Sequence, residues 1–404
     1  MYPESIRPPV LSICVPTFNR ARYLDALLQD LCAHIGELGY TYELLIGDNA
    51  STDRTAEVVQ KYEQVLSIRY VRRSENAGAY GNLSLLLGAA SGRYVIYVAD
   101  DDLLIPDALG RHIAYLEDHQ DVGAVFAPWF THDRVVGNDF GRFYSMDQET
   151  RIEARDHIAL FNLLIEGHIF PEIFIARTSL AREVTNEPNA FAFLFFVKIA
   201  AMVDRTAVTF RPEPFYRQVI RYFENESRAQ YGHEETKIGW DRYRGGLEYI
   251  LARFASLISG DDLARAQRAI DHFARVRMSV GLRVRTDEGG NWIDNYFIAN
   301  RLRCAGDDSL LPAPYEIYRI YAALEFLINL QPYYPHRATV AYYKDDPPEV
   351  LTQASDFLAA GLAVLEDRSQ PLPENVILLI NHKPAPTAGS AYVISEAELL
   401  AKFP

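Results

Sequence analysis

"YVIYVADDDLLIPDAL" (residues 94–109) ends an apolar run in three consecutive aspartates, Asp100, Asp101 and Asp102. Like charges this close repel, and partial burial adds a desolvation cost, so the triplet calls for a compensating partner. A divalent cation such as Mg2+ or Mn2+ is one such partner, because hard cations take oxygen ligands and often use one or two carboxylates together with substrate phosphates. The other reading is a solvated loop, in which one aspartate caps the helix that follows Pro106. What surrounds the run favours the first.

Four more short apolar runs read as buried strands: "VLSICVP" (10–16), "YELLIGD" (42–48), "IRYVRR" (68–73) and "VGAVFAPWF" (122–130). They are almost continuously hydrophobic, as parallel strands covered on both faces are. Between them Leu24, Leu27, Leu28 and Leu31 fall on one helix face, as do Leu83, Leu86, Leu87 and Ala90. The alternation predicts a mostly parallel, doubly wound α/β sheet with ligands at the carboxyl ends of its strands. Polar clusters stand at those ends: "PTFNR", "GDNASTD", "SENAGAYGN" and the aspartates. In a parallel sheet all four meet along one edge.

Each cluster has residues suited to a ligand. Asp48 can accept a hydrogen bond from a nucleobase imide, and Asn49 can donate and accept; Asp53 reads better as a helix cap. Gly78 and Gly81 permit close backbone approach, flanked by the amides of Asn76 and Asn82. The stretch has neither GxGxxG nor GxxxxGK[ST] spacing, so it is no dinucleotide fingerprint and no P-loop.

The 404 residues carry a formal charge of −14, which argues against nucleic acid as the main partner. Cys14, Cys32 and Cys304 show no CxxC or Cys/His metal spacing, so a reduced, cytoplasmic setting is expected. No basic stretch precedes an apolar core at the N-terminus, and no apolar run is long enough to span a bilayer. Peripheral contact with the inner face of the membrane stays open, as does a homodimer. Three parts are expected: residues 1–225, with a donor half at about 10–130 and an acceptor half at about 131–225; a helical region at 226–335; and a small α/β unit at 336–404. In the last, "ATVAYY", a helix near 348–365, "NVILLINHK" and "SAYVIS" are its elements, and "LQPYYPHR" reads as the linker before it.

Together, "SICVPTFNRARYLDALLQDL", "ELLIGDNASTDRTAEVVQKY" and "VRRSENAGAYGNLSLLLGAASGRYVIYVADDDLLIPDALGRHIAYL" resemble the nucleotide-sugar-binding half of family 2 glycosyltransferases, which have the GT-A fold. The resemblance implies transfer of a sugar from a nucleoside diphosphate donor, usually UDP-linked, with inversion, onto a glycan or lipid-linked acceptor. Pro16, Thr17 and Phe18 match the segment lying against the nucleoside, with Arg20 just after it. Asp48 matches the acid that holds the base, and Asp100 and Asp101 match the metal-bridging "DXD" region. Where the family often reads "LDSDD", this chain has Ala99 at the leading acidic position, so Asp101 is the expected main ligand, with Asp100 and Asp102 in support.

A carboxylate opposite the leaving group would act as general base. Many family members carry it in an "ED" pair before an amphipathic helix, but here the matching region is "EVTNEPNAFAFLFFVKIAAMVDR", with no such pair. Glu187 is the first candidate, Glu172 in "GHIFPEIF" the second and His168 the third. Each also has an ordinary structural reading, as a helix-start charge, a surface carboxylate and a packed loop residue. The missing pair leaves a catalytically degenerate binding protein as the alternative function. A sugar-nucleotide pyrophosphorylase is disfavoured, because "PTFNRARY" lacks the glycine-rich loop such enzymes need. Trp129, Phe130, Tyr216 and Tyr222 are expected near the acceptor side or in the core. Arg217 and Arg221 either reach the diphosphate or lie on a solvated turn.

Overall fold

The structure, a computed structural model, describes residues 8–185, 191–224, 231–329, 339–354, 362–366, 368–369, 372, 376–383 and 392–404. The chain divides into two compact units, Met1–Arg228 with Asp241–Phe273, and Ala229–Trp240 with Ala274–Pro404.

In the first unit β1 (Leu11–Thr17), α1 (Ala21–His34), β2 (Tyr42–Asp48), α2 (Thr55–Tyr62), β3 (Ile68–Arg72), α3 (Gly78–Ala89) and β4 (Tyr94–Tyr97) follow the expected alternation. Next come β5 (Leu103–Leu104), α4 (Pro106–Asp118), β6 (Val122–Phe126), β7 (Phe130–Asp133), β8 (Asn138–Arg142) and β9 (Thr150–Ile152). After these lie α5 (His157–Glu166), β10 (Phe174–Arg177), α6 (Thr178–Glu183), α7 (Leu194–Val203), β11 (Ala207–Phe210) and β12 (Tyr216–Arg221). Eight strands form one sheet in the order β3-β2-β1-β4-β10-β6-β11-β9. β1, β2, β3 and β4 are parallel, as are β6 and β11, while β10 runs antiparallel between β4 and β6. This is the expected mostly parallel α/β sheet.

The apolar runs form strands because both faces are covered: Leu11, Ile13, Cys14 and Val15 of β1 and Leu44, Leu45 and Ile46 of β2 are fully buried. At Gly47 a Cβ would stand 2.8 Å from the Leu86 side chain and 2.9 Å from Asn82 Oδ1, so only glycine lets α3 settle this close to β2. Register places Thr17 opposite Asp48 and Asp48 opposite Arg72, which brings three strand ends level. Pro106 starts α4 directly behind the aspartates, where its missing N–H costs nothing.

"AVTFRPEPFYRQV" (207–219), expected as one late strand and a turn, supplies two strands in different sheets. β11 joins the large sheet, and β12 lies in a four-stranded sheet ordered β5-β12-β7-β8. The glutamate–proline turn between them makes this change of sheet possible.

The later elements are α8 (Tyr231–Ile238), α9 (Trp240–Leu251), α10 (Gly260–Asp287), α11 (Trp292–Cys304), α12 (Tyr315–Asn329), β13 (Thr339–Tyr343), α13 (Glu349–Gln353), β14 (Ala363–Leu365), β15 (Val376–Ile380), β16 (Tyr392–Ser395) and α14 (Glu396–Leu400). The division differs from the expected boundaries at 225/226 and 335/336. Most of α9 packs with the first unit, where Gly246 faces Phe196 and the Phe193 amide donates to the Arg242 carbonyl (2.8 Å). In the second unit Tyr318, Leu324 and Leu327 of α12 share one core with Val340, Ile377 and Leu399, so helices and strands there form a single layer pair. Its sheet is wholly parallel, ordered β14-β13-β15-β16. Residues 363–365, expected to end a helix, are β14; "LQPYYPHR" lies outside the described residues.

Candidate functional site

The polar ends of β1, β2, β3 and β4 converge as a parallel sheet requires. Thr17 Oγ1 donates to Asp100 Oδ2 (2.7 Å), linking the ends of β1 and β4. Arg20, at the start of α1, places one atom, Nη1, 3.2 Å from Asp100 Oδ1 and 2.7 Å from Asp101 Oδ2. Two carboxylates thus point at one position a cation can fill. Asp100 is 4% exposed. Burial first, and repulsion by Asp101 second, hold its carboxyl above the ordinary carboxylate range, against the opposing pull of Arg20 and Thr17. That is the electrostatic demand the sequence suggested.

Asp102 does something different. Its Oδ2 accepts from the Tyr216 hydroxyl (2.8 Å) and its Oδ1 from the Val219 amide (2.8 Å), while the Ala99 amide donates to the same hydroxyl (3.1 Å). Asp102 therefore anchors the acidic turn to β12, where a supporting metal ligand was expected. Among the described residues no three His, Cys, Asp or Glu side chains form a ready-made metal cage. The pair Asp100–Asp101 nevertheless fits a cation whose other ligands are phosphate oxygens and water.

Asp48 is fully buried. Its Oδ1 accepts from the Ser51 amide (2.8 Å), its Oδ2 from the Tyr70 hydroxyl (2.5 Å), and Arg72 Nε lies 3.5 Å from Oδ2. Asn49 Nδ2 donates to Asn76 Oδ1 (2.7 Å) and to the Gly78 carbonyl (3.2 Å), and its Oδ1 accepts from the Ala77 amide (3.0 Å). Gly78 takes φ +75°, a left-handed turn that glycine adopts without strain. Asn49, Asn76 and Gly78 thus come together beside Asp48. Asn82 does not join them: 1% exposed, it donates to the Gly47 carbonyl (2.6 Å) and pegs α3 to β2. Asp53, expected as a helix cap, lies one residue before the N-cap Arg54 of α2 and accepts from the amides of Ala21 and Thr55 (both 3.0 Å), tying the starts of α1 and α2 together. Pro16 lies opposite Gly47, one residue before the end of β1, and Phe18, just past the strand, is 40% exposed.

Of the three base candidates, Glu187 lies outside the described residues. Glu172 is half-buried; burial first raises the Tyr97 hydroxyl, and the charges of Asp102, Asp101, Asp100 and, last, Glu172 add to it. Glu172 and the acidic turn therefore share one electrostatic neighbourhood. His168 stacks on Phe273 (ring centroids 4.9 Å apart) in an aromatic cluster around Phe170, the packed-residue reading. Trp129, Tyr216 and Tyr222 are buried, with Trp129 stacked on Phe143 at 4.5 Å. Arg217 pairs with Asp139 and Arg221 with Asp133, so both are engaged on the smaller sheet. Sequence reasoning missed Tyr70 and Arg72. Their signal is the period-2 spacing on β3, readable only once register sets Arg72 opposite Asp48.

Residues 12–169 match the family model described as Glycosyl transferase family 2. That span lies within the first unit, which carries the mostly parallel α/β sheet. The chain is 33% identical over 115 residues to abequosyltransferase RfbV of Salmonella typhimurium, an overlap of 28% of this chain and 34% of that protein. It is 30% identical over 110 residues to the poly(ribitol-phosphate) beta-N-acetylglucosaminyltransferase TarS of Staphylococcus aureus, 27% of this chain and 19% of that one. The chain thus spans about a third or less of these relatives' length. Among solved structures, TarS 1–349 of S. aureus in complex with UDP superposes with a TM-score of 0.44 at 17% identity, covering 78% of this chain and 91% of that one. Among the described residues no helix is long and apolar enough to cross a membrane.

Proposed function

We propose that the protein is a metal-dependent, inverting glycosyltransferase that moves a sugar from a nucleoside diphosphate donor, UDP-linked in the first instance, to a hydroxyl of a glycan or lipid-linked acceptor. The observation that carries the reading is the convergence of Asp100 and Asp101 on one cationic atom, at the strand edge that also gathers Thr17, Asp48, Asn49 and Asn76. Asp48 with Tyr70 forms a polar floor for the base, and the Asn76–Gly78 turn lines the approach of the nucleoside.

A divalent cation, Mn2+ or Mg2+, held by Asp101 and Asp100 would supply Lewis-acid charge to the departing diphosphate. The chain's own part is to fix those carboxylates: Thr17 orients Asp100, and Asp102 locks the turn to β12. Glu172, in the same electrostatic neighbourhood, is proposed as the group that takes the acceptor hydroxyl proton. Donor turnover across UDP- and GDP-sugars with Mn2+ tests the reading. Asp101→Ala is expected to lose at least about a hundredfold in kcat, as removal of a preorganised charge stabiliser does, and Glu172→Gln to lose turnover while keeping nucleotide affinity. A wild-type protein that binds nucleotide but turns over no donor would support the degenerate alternative. A Glu172→Gln variant with full turnover would remove Glu172 from the base role.

A further inference from the structure

We propose that Arg20 is a latch on the cation position: its guanidinium holds the Asp100–Asp101 pair, and nucleotide and metal bind together because each helps to release it. The inference rests on the donor-site reading and adds a coupling device to it.

The backbone sets Arg20 at this point. Asn19 has φ +53°, a left-handed conformation, and Asn19 Oδ1 accepts from the Thr52 amide (2.7 Å). The next residue but one, Ala21, donates its amide to Asp53 (3.0 Å). Arg20 therefore leaves a turn that is pinned on both sides. Its guanidinium carbon lies 5.7 Å from the centroid of the Tyr23 ring. Tyr23 in turn meets Tyr222 edge-on at 5.5 Å and Phe223 at 5.7 Å. The arm is thus supported from α1 and from the end of β12. Its side chain keeps 31% of its exposure, against 5% for Asp100 and 13% for Asp101.

A single nitrogen occupies the point where the two carboxylates converge. A cation using the same oxygens must displace it, and guanidinium and metal therefore compete. The displaced guanidinium needs an anion to replace the carboxylates it leaves. A diphosphate offers that, since planar guanidinium matches phosphate oxygens with two parallel hydrogen bonds. Bound diphosphate would draw Arg20 away and so favour the metal, and bound metal would free Arg20 for the diphosphate. Such linkage is reciprocal by thermodynamic necessity. It would keep the carboxylate pair neutralised when no donor is present.

The test is Mn2+ affinity of the full chain, measured by calorimetry with and without UDP, for wild type, Arg20→Met, Arg20→Lys and the control Arg22→Met. Arg22 removes the same charge nearby without touching either aspartate in the hydrogen bonds and ion pairs of this site. Thermal unfolding first establishes that each variant is folded. Arg20→Met is expected to bind Mn2+ without nucleotide about tenfold more tightly than wild type, and the tightening that UDP causes is expected to shrink by a similar factor. Arg20→Lys, a point charge without the fork, is expected to fall between them. Arg22→Met is expected to change both quantities by less than about twofold. A merely structural Arg20 would predict the opposite sign, with weaker metal binding in the variant. Nucleotide-free Mn2+ affinity that is unchanged or lower in both Arg20 variants overturns the latch while leaving the donor site standing. A wild-type protein that binds no Mn2+ even with UDP or GDP overturns the donor-site reading, and the latch with it.

Discussion

Replacing His112 by glutamine tests how the helix behind the aspartates is tied to the strand that carries Tyr216. His112 lies on α4 and is fully buried. Its Nε2–H donates to the Glu213 carbonyl (2.9 Å), and its Nδ1 accepts from Arg211 Nη1 (3.1 Å), which fixes the neutral tautomer. The ring also packs edge-on against Phe215, 4.9 Å away. Burial first pushes the imidazole down from 6.5 to about 4; Arg211 and Arg111 add to the shift, and Glu213 opposes it. Between those two values the unfolded chain binds the extra proton, so stability is intact above about 6.5 and is lost as pH falls towards 4. From pH 7 to pH 5 the loss due to this one group comes to about 2 kcal/mol.

Hydrogen exchange of the β12 amides reads the first unit separately from the second, at pH 7 and at pH 5. His112→Gln is expected to cost about 1 kcal/mol at pH 7, because it leaves the pairing imperfect. It should also escape about 2 kcal/mol of the acid-induced loss, so that the variant matches or exceeds wild type at pH 5. Other titrating groups are common to both proteins and cancel in the difference. Parallel loss of protection in wild type and variant from pH 7 to pH 5 would show that His112 protonates in the folded state, and the reasoning would fail.

Two further perturbations probe the same unit. Tyr216→Phe strips the hydroxyl shared by Asp102 and the Ala99 amide; unfolding should show a loss of about 1–3 kcal/mol, together with weaker nucleotide binding because the acidic turn is released. Lys198 on α7 is 5% exposed, and burial lowers its ammonium from 10.5 to about 8. A lowered lysine value means the unfolded chain holds the extra proton between 8 and 10.5, so wild type gains stability as pH rises through that window. Lys198→Met should be more stable than wild type by about 2–3 kcal/mol at pH 7, a difference that fades by pH 10.5. An equal offset at both values would refute the buried-ammonium account.

The polar edge of the sheet was legible because a parallel sheet converts local pattern into shared position. Each apolar run ends in polar residues, and parallel strands deliver all those ends to one edge. Asp48 and Asp100 followed from that rule, whereas Thr17 was singled out within its cluster by the family resemblance. What depended on distant pairing was not legible. β10 enters between β4 and β6 from far downstream, in a short stretch whose composition gives no sign of a central strand. The role of Asp102 depends on Tyr216, 114 positions away. Asn82 carries the same amide as Asn76 and lies six residues further on, yet one turn of α3 rotates it under β2. Composition marked both as ligand groups, and only packing separates them.

The three aspartates that look equivalent in the sequence divide between two tasks, and the division explains the geometry of the site. Asp102 is held by β12 through two hydrogen bonds, and its own amide donates to the Ala99 carbonyl (3.1 Å), closing the turn. With that end fixed, Asp100 and Asp101 cannot splay apart to relieve their repulsion, and the strain falls on whatever cation stands between them. A more flexible acidic loop would lower its own energy by separating the charges, and would bind a cation less tightly for it. The repulsion that makes "DDD" costly in isolation is therefore retained by an anchor outside the run, and it is this retained repulsion that gives the Asp100–Asp101 pair its demand for positive charge.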